Sequence, residues 1–307
     1  MIKQFHHKDF LPIKKLCAKK ANSNKTISLI IPTLNEVSTV GQIVAITRNE
    51  LVAAAPLLDE IIVMDGGSDD GTVARAREAG ATVYNAQEIG DKDIPPGKGT
   101  ALWKSLHIAR GDIIVCIDAD IKNFDIRFVY GLIAPLLYDS SLSFIKAFYK
   151  RPIVVDDIIL HNYGGRVTEI LVRPLLSAFY PELAQFFQPL SGEYSFRKDV
   201  AATIPFFSGY GLEIGLLLDV YKLRGISSFA QVDMDIRCHR NRSVTDLGKM
   251  AFAILQVFLK RLQGDHKAVF PHAYHAHMKS FGLNGWHNDV ILQGELPSVF
   301  SKKGEKQ

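Results

Sequence analysis

The sequence predicts an α/β fold, a mostly parallel sheet with helices on both faces. Three observations predict it. From residue 27 onward, apolar runs of about five residues alternate with helical stretches. The runs are nearly continuous rather than alternating, as in strands covered on both faces. Each polar cluster of the first half follows a run, where ligands bind in such sheets. The elements follow in order. Ile27–Ile31 is a β-branched strand stopped by Pro32, and 38–51 is a helix. Glu60–Met64 is a second strand, ended by Asp65-Gly66-Gly67. Residues 72–79 form a helix closed by Gly80, and 82–84 a short third strand. Residues 99–109 form a helix, and 113–117 a fourth strand leading into Asp118-Ala119-Asp120.

The second half reads differently. Residues 125–138, 165–178, 213–223 and 247–262 are helical, and 143–149 is a strand. Two polar islands interrupt them, 188–194 and 237–242. The division expected is a basic N-terminal extension (1–26), a first half that binds a nucleotide sugar (27–124), a second half that binds an acceptor (125–263) and a C-terminal segment (264–307). The extension is expected to be partly helical and packed on the body.

Composition narrows the classes. The chain has 307 residues, 47% of them hydrophobic and 22% charged, so a sizeable core can form and wholesale disorder is excluded. No apolar run approaches the roughly 18 residues of a membrane span. Seven lysines and one acid fall in residues 1–25, so the net charge of +4 comes from that segment. It reads as an extension rather than a nucleic-acid arm, because aliphatic and aromatic residues are interspersed. Cys17, Cys116 and Cys238 form no pattern, which argues against a disulfide scaffold and for a reducing cytoplasm.

Asp118 and Asp120 follow a buried strand at i and i+2, so both carboxylates face one crevice. They repel unless something positive lies between them. Mg²⁺ or Mn²⁺, shared with a diphosphate, answers that need; a turn with a capping aspartate is the plain alternative. Pro95-Pro96-Gly97-Lys98-Gly99 opens a helix, where backbone N–H groups and Lys98 suit a phosphate, yet the spacing is not a Walker motif. Thr33-Leu34-Asn35-Glu36 has capping-box spacing, and 65–72 is rich in turn residues. His239 lies among Arg237, Arg240, Asn241 and Arg242, an anion site or metal ligand set against a plain surface patch.

The strings IIPTLNE, VMDGGSDDGT, PPGKGTALWKSL, ARGDIIVCIDADI, IKAFYKRP, GGRVTEILVRPLL, QPLSGEY, GYGLEIGLLLD and RCHRNR, in that order, resemble the glucosyl- and mannosyl-3-phosphoglycerate synthases. These are retaining nucleotide-sugar glycosyltransferases of GT-A fold. The resemblance implies that Pro32, Leu34 and Glu36 flank uracil and ribose, and that Gly66 contacts the nucleotide through its backbone, since the family often has serine there. Lys98, Asp118, Ala119, Arg237 and Asn241 would address the nucleotide and its diphosphate. Tyr210, Gly211 and Glu213 would line the sugar. Asp120 and His239 would hold the metal. Gly165, Arg166, Val167 and Thr168 would bind the acceptor, and Glu213, Asp120 and Arg237 are the candidate catalytic residues. The implied reaction moves glucose from UDP-glucose to the 2-hydroxyl of 3-phosphoglycerate, in a homodimer. GDP-mannose as donor, an inactive nucleotide-sugar-binding module and a nucleic-acid binder are the alternatives. The intact Asp118, Asp120, Lys98 and His239 argue against an inactive module, and no RNA-type aromatic motif is present.

Overall fold

A computed structural model describes residues 1–299 except 92, 156–157, 161–164, 239–242, 271, 273–274 and 283–284; of 153–155, 158–160, 281–282 and 285 it describes the backbone. The strands in chain order are β1 (Lys3–His6), β2 (Ile27–Thr33), β3 (Glu60–Asp65), β4 (Thr82–Asn85), β5 (Ile113–Cys116), β6 (Phe144–Lys150), β7 (Ile153–Val155), β8 (Ile158–Leu160), β9 (Tyr194–Arg197), β10 (Phe206–Phe207), β11 (Phe229–Ile236), β12 (His277–Gly282), β13 (Gly285–Val290) and β14 (Glu295–Leu296). The helices are α1 (Ile13–Ser23), α2 (Val40–Arg48), α3 (Thr72–Glu78), α4 (Lys98–Ile108), α5 (Arg127–Tyr138), α6 (Arg173–Phe179), α7 (Lys198–Ala201), α8 (Leu212–Arg224) and α9 (Val244–Gly264).

Eight strands form one sheet in the order β1-β11-β6-β9-β5-β2-β3-β4. Its neighbours are parallel except β9, which runs antiparallel to both β5 and β6. Alternate residues of each central strand enter opposite cores. Leu29, Ile31, Val63 and Val115 pack with α1, α2, α3 and α5, whereas Ile30, Ile62 and Ile114 pack with α4, α6, α8 and α9. Both faces are thus dry, which is why these strands read as unbroken apolar runs. The small pairs β7–β8, β12–β13 and β10–β14 lie outside this sheet.

The strands from 27 to 116 and the helices between them fall within a few residues of expectation. The N-terminal segment contains the expected helix, with Leu16 in the core, and also a strand that its polar sequence KQFH does not announce. β1 forms the sheet edge by pairing with β11. Beyond β1, His6 and His7 each point Nε2 at one oxygen of Asp235, at 3.1 and 2.8 Å. Tyr130 Oη lies 2.7 Å from His7 Nδ1. Lys8 Nζ sits 3.7 Å from the same carboxylate, and its backbone N–H donates to His6 Nδ1. This is a hydrogen-bonded clamp rather than a metal ligand set, because His6 Nδ1 accepting leaves Nε2 as the donor.

The clamp closes on a bulge. Asp235 has φ +64°, and the pairing register of β11 shifts between Asp233 and Ile236, one residue before Arg237. Hydrogen bonding to His7, against some burial and with His6 and Lys8 helping, lowers the Asp235 carboxyl to about 2. A depressed carboxyl adds stability above its unfolded value near 3.9 and loses it as pH falls through the folded one. Asp235→Asn is therefore expected to cost roughly 1 kcal/mol at pH 7, an exposure-discounted figure. The gap to wild type should narrow between pH 4 and pH 2, as urea melts would read. A constant gap would mean that the carboxylate charge is not what the clamp holds.

Candidate active site

The site lies past the carboxyl ends of β5 and β2. Thr33 and Glu36 do not form the capping box their spacing suggests, since α2 starts only at Val40. Thr33 ends β2 and donates its hydroxyl to Asp65 Oδ1 at 3.2 Å. Asp65 also receives the N–H groups of Gly67 and Ser68, both at 2.9 Å, so the two strand-end loops are held as a unit. Asn35, at φ +57°, accepts from Asp69 N–H, and Glu36 N–H donates to Thr72 Oγ1 at 2.8 Å. Pro32 is half-buried at the end of β2, and Leu34 beside it is 59% exposed. Gly66 N–H donates to Thr33 O at 2.8 Å. A cleft lined by Gly67, Ser68, Arg77, Tyr84 and Asn85 opens past β3 and β4.

Asp118 and Asp120 do converge. Arg237 Nη2 donates to Asp118 Oδ2 at 3.1 Å and to Asp120 Oδ1 at 2.7 Å. Between them Ala119 is buried, its carbonyl accepting from Thr39 Oγ1 at 2.6 Å. Lys98, the first residue of α4, bridges Asp118 Oδ1 at 2.6 Å and Glu213 Oε1 at 2.7 Å. Burial pushes the Asp118 carboxyl up, but Lys98 and Arg237 outweigh it and hold the group well below the usual carboxylate range. Burial would lower Lys98 and Arg237, but Asp118 and Glu213 raise the first, and Glu193, ahead of the aspartates, raises the second. Glu213 sits in the first turn of α8, after Gly211, whose N–H donates to Gln293 Oε1 at 3.1 Å. Tyr210, just before, is half exposed.

Sequence reasoning passed over the floor of this site. Glu193 is 0% exposed, and Arg237 above it 3%. Tyr149 donates its hydroxyl to Glu193 Oε2 and accepts from Arg151 Nη2 at 2.7 Å. Lys146 donates to Ser191 O at 2.8 Å, with its ammonium 4.9 Å from the Tyr194 ring, and burial pushes that ammonium down to about 7. A Cβ on Gly192 would fall 2.2 Å from Asp118 Oδ2, so the bare backbone there makes room for the carboxylate. That glycine, within the polar island 188–194, was the available signal. Buried polar atoms without a hydrogen-bond partner also gather here: Arg151 Nε, Gln188 Oε1, Glu193 Oε1, Tyr194 Oη and Arg237 Nε. Such a concentration marks a place built to meet a ligand or to rearrange.

Four carboxylates, Asp118, Asp120, Glu193 and Glu213, gather with Lys98 and Arg237, and Lys146 and Arg151 lie in the floor beneath them. The hard oxygen donors of Asp118 and Asp120 fit a Mg²⁺ or Mn²⁺ ion. His239 and Asn241, with Arg240 and Arg242, lie outside the described residues. Gly165 has φ +83° and precedes the helical residues 166–179; Gly164 is outside the described residues. Arg166 is half-buried, and Val167 and Thr168 are buried. That segment is stapled to the floor loop by Arg173, which pairs with Glu169 at 2.7 Å and donates to the carbonyls of Ala184, Phe186 and Phe187.

The mixed sheet, the aspartate pair after β5 and the cationic flank define a glycosyltransferase of the GT-A class. The Glycosyl transferase family 2 profile matches residues 28–171. The chain is 47% identical over 262 residues to a glucosyl-3-phosphoglycerate synthase of Petrotoga mobilis, covering 85% of this chain and 81% of that one. To the enzyme of that name from Mycobacterium tuberculosis it is 42% identical over 78% of this chain and 75% of the other. Among solved structures, mannosyl-3-phosphoglycerate synthase from Rubrobacter xylanophilus superposes with TM-score 0.88 at 32% identity, covering 97% and 96% of the two chains. The M. tuberculosis glucosyl-3-phosphoglycerate synthase in complex with Mn²⁺, UDP-glucose and phosphoglyceric acid superposes with TM-score 0.83 at 37% identity, covering 97% and 98%. This chain belongs to the glucosyl-3-phosphoglycerate synthase family.

Proposed function

We propose that the chain transfers glucose from UDP-glucose to the 2-hydroxyl of 3-phosphoglycerate, with retention. The observation that carries this reading is the aspartate pair held between Lys98 and Arg237 at the carboxyl edge of β5, in a chain whose relatives bear that activity's name. In this reading Pro32, Leu34, Glu36 and Gly66 flank the base and ribose, which the linked strand-end loops support. Lys98 and Arg237 turn toward the diphosphate as its charge arrives, and Asp118, Ala119 and Asp120 orient it. Tyr210, Gly211 and Glu213 line the hexose. Asp120 and His239 would hold the divalent cation, with Asn241 beside them. A bound Mg²⁺ or Mn²⁺ stabilises the departing diphosphate as a Lewis acid. Fixed cations nearby act at no reorganisation cost.

Gly165, Arg166, Val167 and Thr168 take the acceptor phosphate. Gly165 supplies a turn that side chains disfavour, and its carbonyl accepts from Glu169 N–H at 3.1 Å as the helix opens at Arg166. No helix of the described residues is long and apolar enough to cross a membrane. A cytoplasmic location is part of the reading, supported by three unpaired cysteines. So is a homodimer, supported by exposed Trp286 and Val290 on β13 and Leu292 just after it.

The test is a donor-by-acceptor screen with and without Mn²⁺. UDP-glucose with 3-phosphoglycerate should turn over, and UDP should raise Tm in the presence of the metal. Turnover with GDP-mannose alone would replace glucose by mannose in the reading. Arg166→Ala should raise KM for 3-phosphoglycerate by roughly ten- to a hundredfold, the size of a charged hydrogen bond, with KM for UDP-glucose nearly unchanged. The reverse pattern would move the acceptor phosphate elsewhere.

A further inference from the structure

Arg237 Nη2 has more acceptors around it than hydrogens. That nitrogen carries two hydrogens. Both are directed at the aspartates, Asp118 at 3.1 Å and Asp120 at 2.7 Å. Glu193 Oε1 also lies 3.1 Å from that nitrogen, yet no hydrogen bond reaches it. On the same edge of the guanidinium, Nε is buried and has no partner either. A carboxylate oxygen that is ion-paired but not hydrogen-bonded and a guanidinium N–H without a partner therefore sit together, both out of water. That state is costly, and a fork of two parallel N–H groups onto one carboxylate would relieve it.

We infer that Glu193 is a positioning residue that receives Arg237 when the aspartates take up the cation, so that the guanidinium alternates between the Asp118–Asp120 pair and Glu193. The inference rests on the reading of Asp120 as a metal ligand. It explains three features together. Glu193 is fixed in place by the Tyr149 hydroxyl, itself held by Arg151, so the receiving carboxylate does not move. The Arg237 guanidinium packs over the Tyr149 ring, 5.6 Å from its centroid, a surface on which it can turn without losing contact. Burial holds the Glu193 carboxyl above its usual range although Arg237 pulls it down, so a closer guanidinium favours the charged form. Before a diphosphate arrives, Arg237 without Glu193 has only the aspartates to bind and competes with the metal for them.

Glu193→Gln should therefore raise the Kd for Mn²⁺, measured by calorimetry without any nucleotide, by about tenfold or more, the worth of one charged hydrogen bond. Tyr149→Phe, which keeps the carboxylate but loosens it, should raise it by a smaller factor and serves if Glu193→Gln does not fold. In an Arg237→Ala background, Glu193→Gln should leave the Mn²⁺ Kd unchanged, because the competitor is gone. An unaltered Mn²⁺ Kd in folded Glu193→Gln and Tyr149→Phe, with only Tm lowered, would overturn the inference and leave Glu193 a structural residue. Asp120→Ala separates the two layers. If that variant still binds Mn²⁺ as wild type does, the metal reading itself is wrong. If it does not and Glu193→Gln still binds normally, only the exchange is refuted.

Discussion

Asp120→Ala lowers kcat by on the order of a hundred- to a thousandfold, the range for removing one electrostatic group aimed at developing charge, while Tm stays within a few degrees. The carboxylate sits past the end of β5, about one-third exposed, and its contact to Arg237 is polar rather than a piece of core packing. Removing it leaves Arg237 paired with Asp118 and Glu193, so folding has little to lose. Turnover at saturating Mn²⁺ and a thermal melt of the same preparation check both halves. Wild-type turnover in the variant, or full activity of the wild type in excess chelator, would remove the metal from the reading.

Gly99→Ala has the largest expected effect on the fold. A Cβ there would lie 1.7 Å from the carbonyl oxygen of Phe207, a backbone atom that cannot swing aside. Gly99 N–H also donates to Ser208 O at 3.0 Å, so the first turn of α4 is seated directly on the 207–208 backbone. The clash forces α4 away from that segment, at about 3 kcal/mol or more, a Tm loss of roughly 5–10 °C. Lys98 precedes Gly99, so activity should fall more than stability alone accounts for. Gly90→Ala is the control. Its φ is +67° but nothing lies within 4 Å of the new methyl, so it should cost only the backbone strain of about 1 kcal/mol. Equal losses in the two variants would mean that crowding at Phe207 is not the cause.

The two variants sit on parts of the chain that the sequence exposed unequally. Strands β2, β3 and β5 were legible because both their faces are dry, so ISLII, EIIVM and IIVC carry an apolar signal broken only by Ser28 and Glu60. Asp118, Asp120 and Lys98 were legible because each follows or opens a regular element, beside residues that serve turns. β1 and β9 were not. Each is four residues long with polar side chains, and each is made a strand by its neighbours rather than by its own pattern. Glu193 was hidden for a related reason. Its partners Tyr149 and Arg237 are 44 residues before and after it in the chain, and no local spacing connects them. The pull between three carboxylates and one guanidinium nitrogen exists only after folding has brought them together.

The order of the sheet also bears on how the chain is made. Lys3 pairs with Ala230, so the strand that leaves the ribosome early has no partner until β11 is out. β9 must likewise enter between β5 and β6, whose gap stays open while everything between 150 and 194 is being synthesised. At 5–20 residues per second that interval amounts to roughly ten seconds or more for β1, during which its amides have no ladder to join. Pairings this distant in sequence are slow to form, because loop closure must precede the reward. The β2–β5 block can assemble as it emerges. The His6–His7 grip on Asp235, and with it the turn that presents Arg237, is among the last contacts to close, so a nascent chain has its fold well before it has its site.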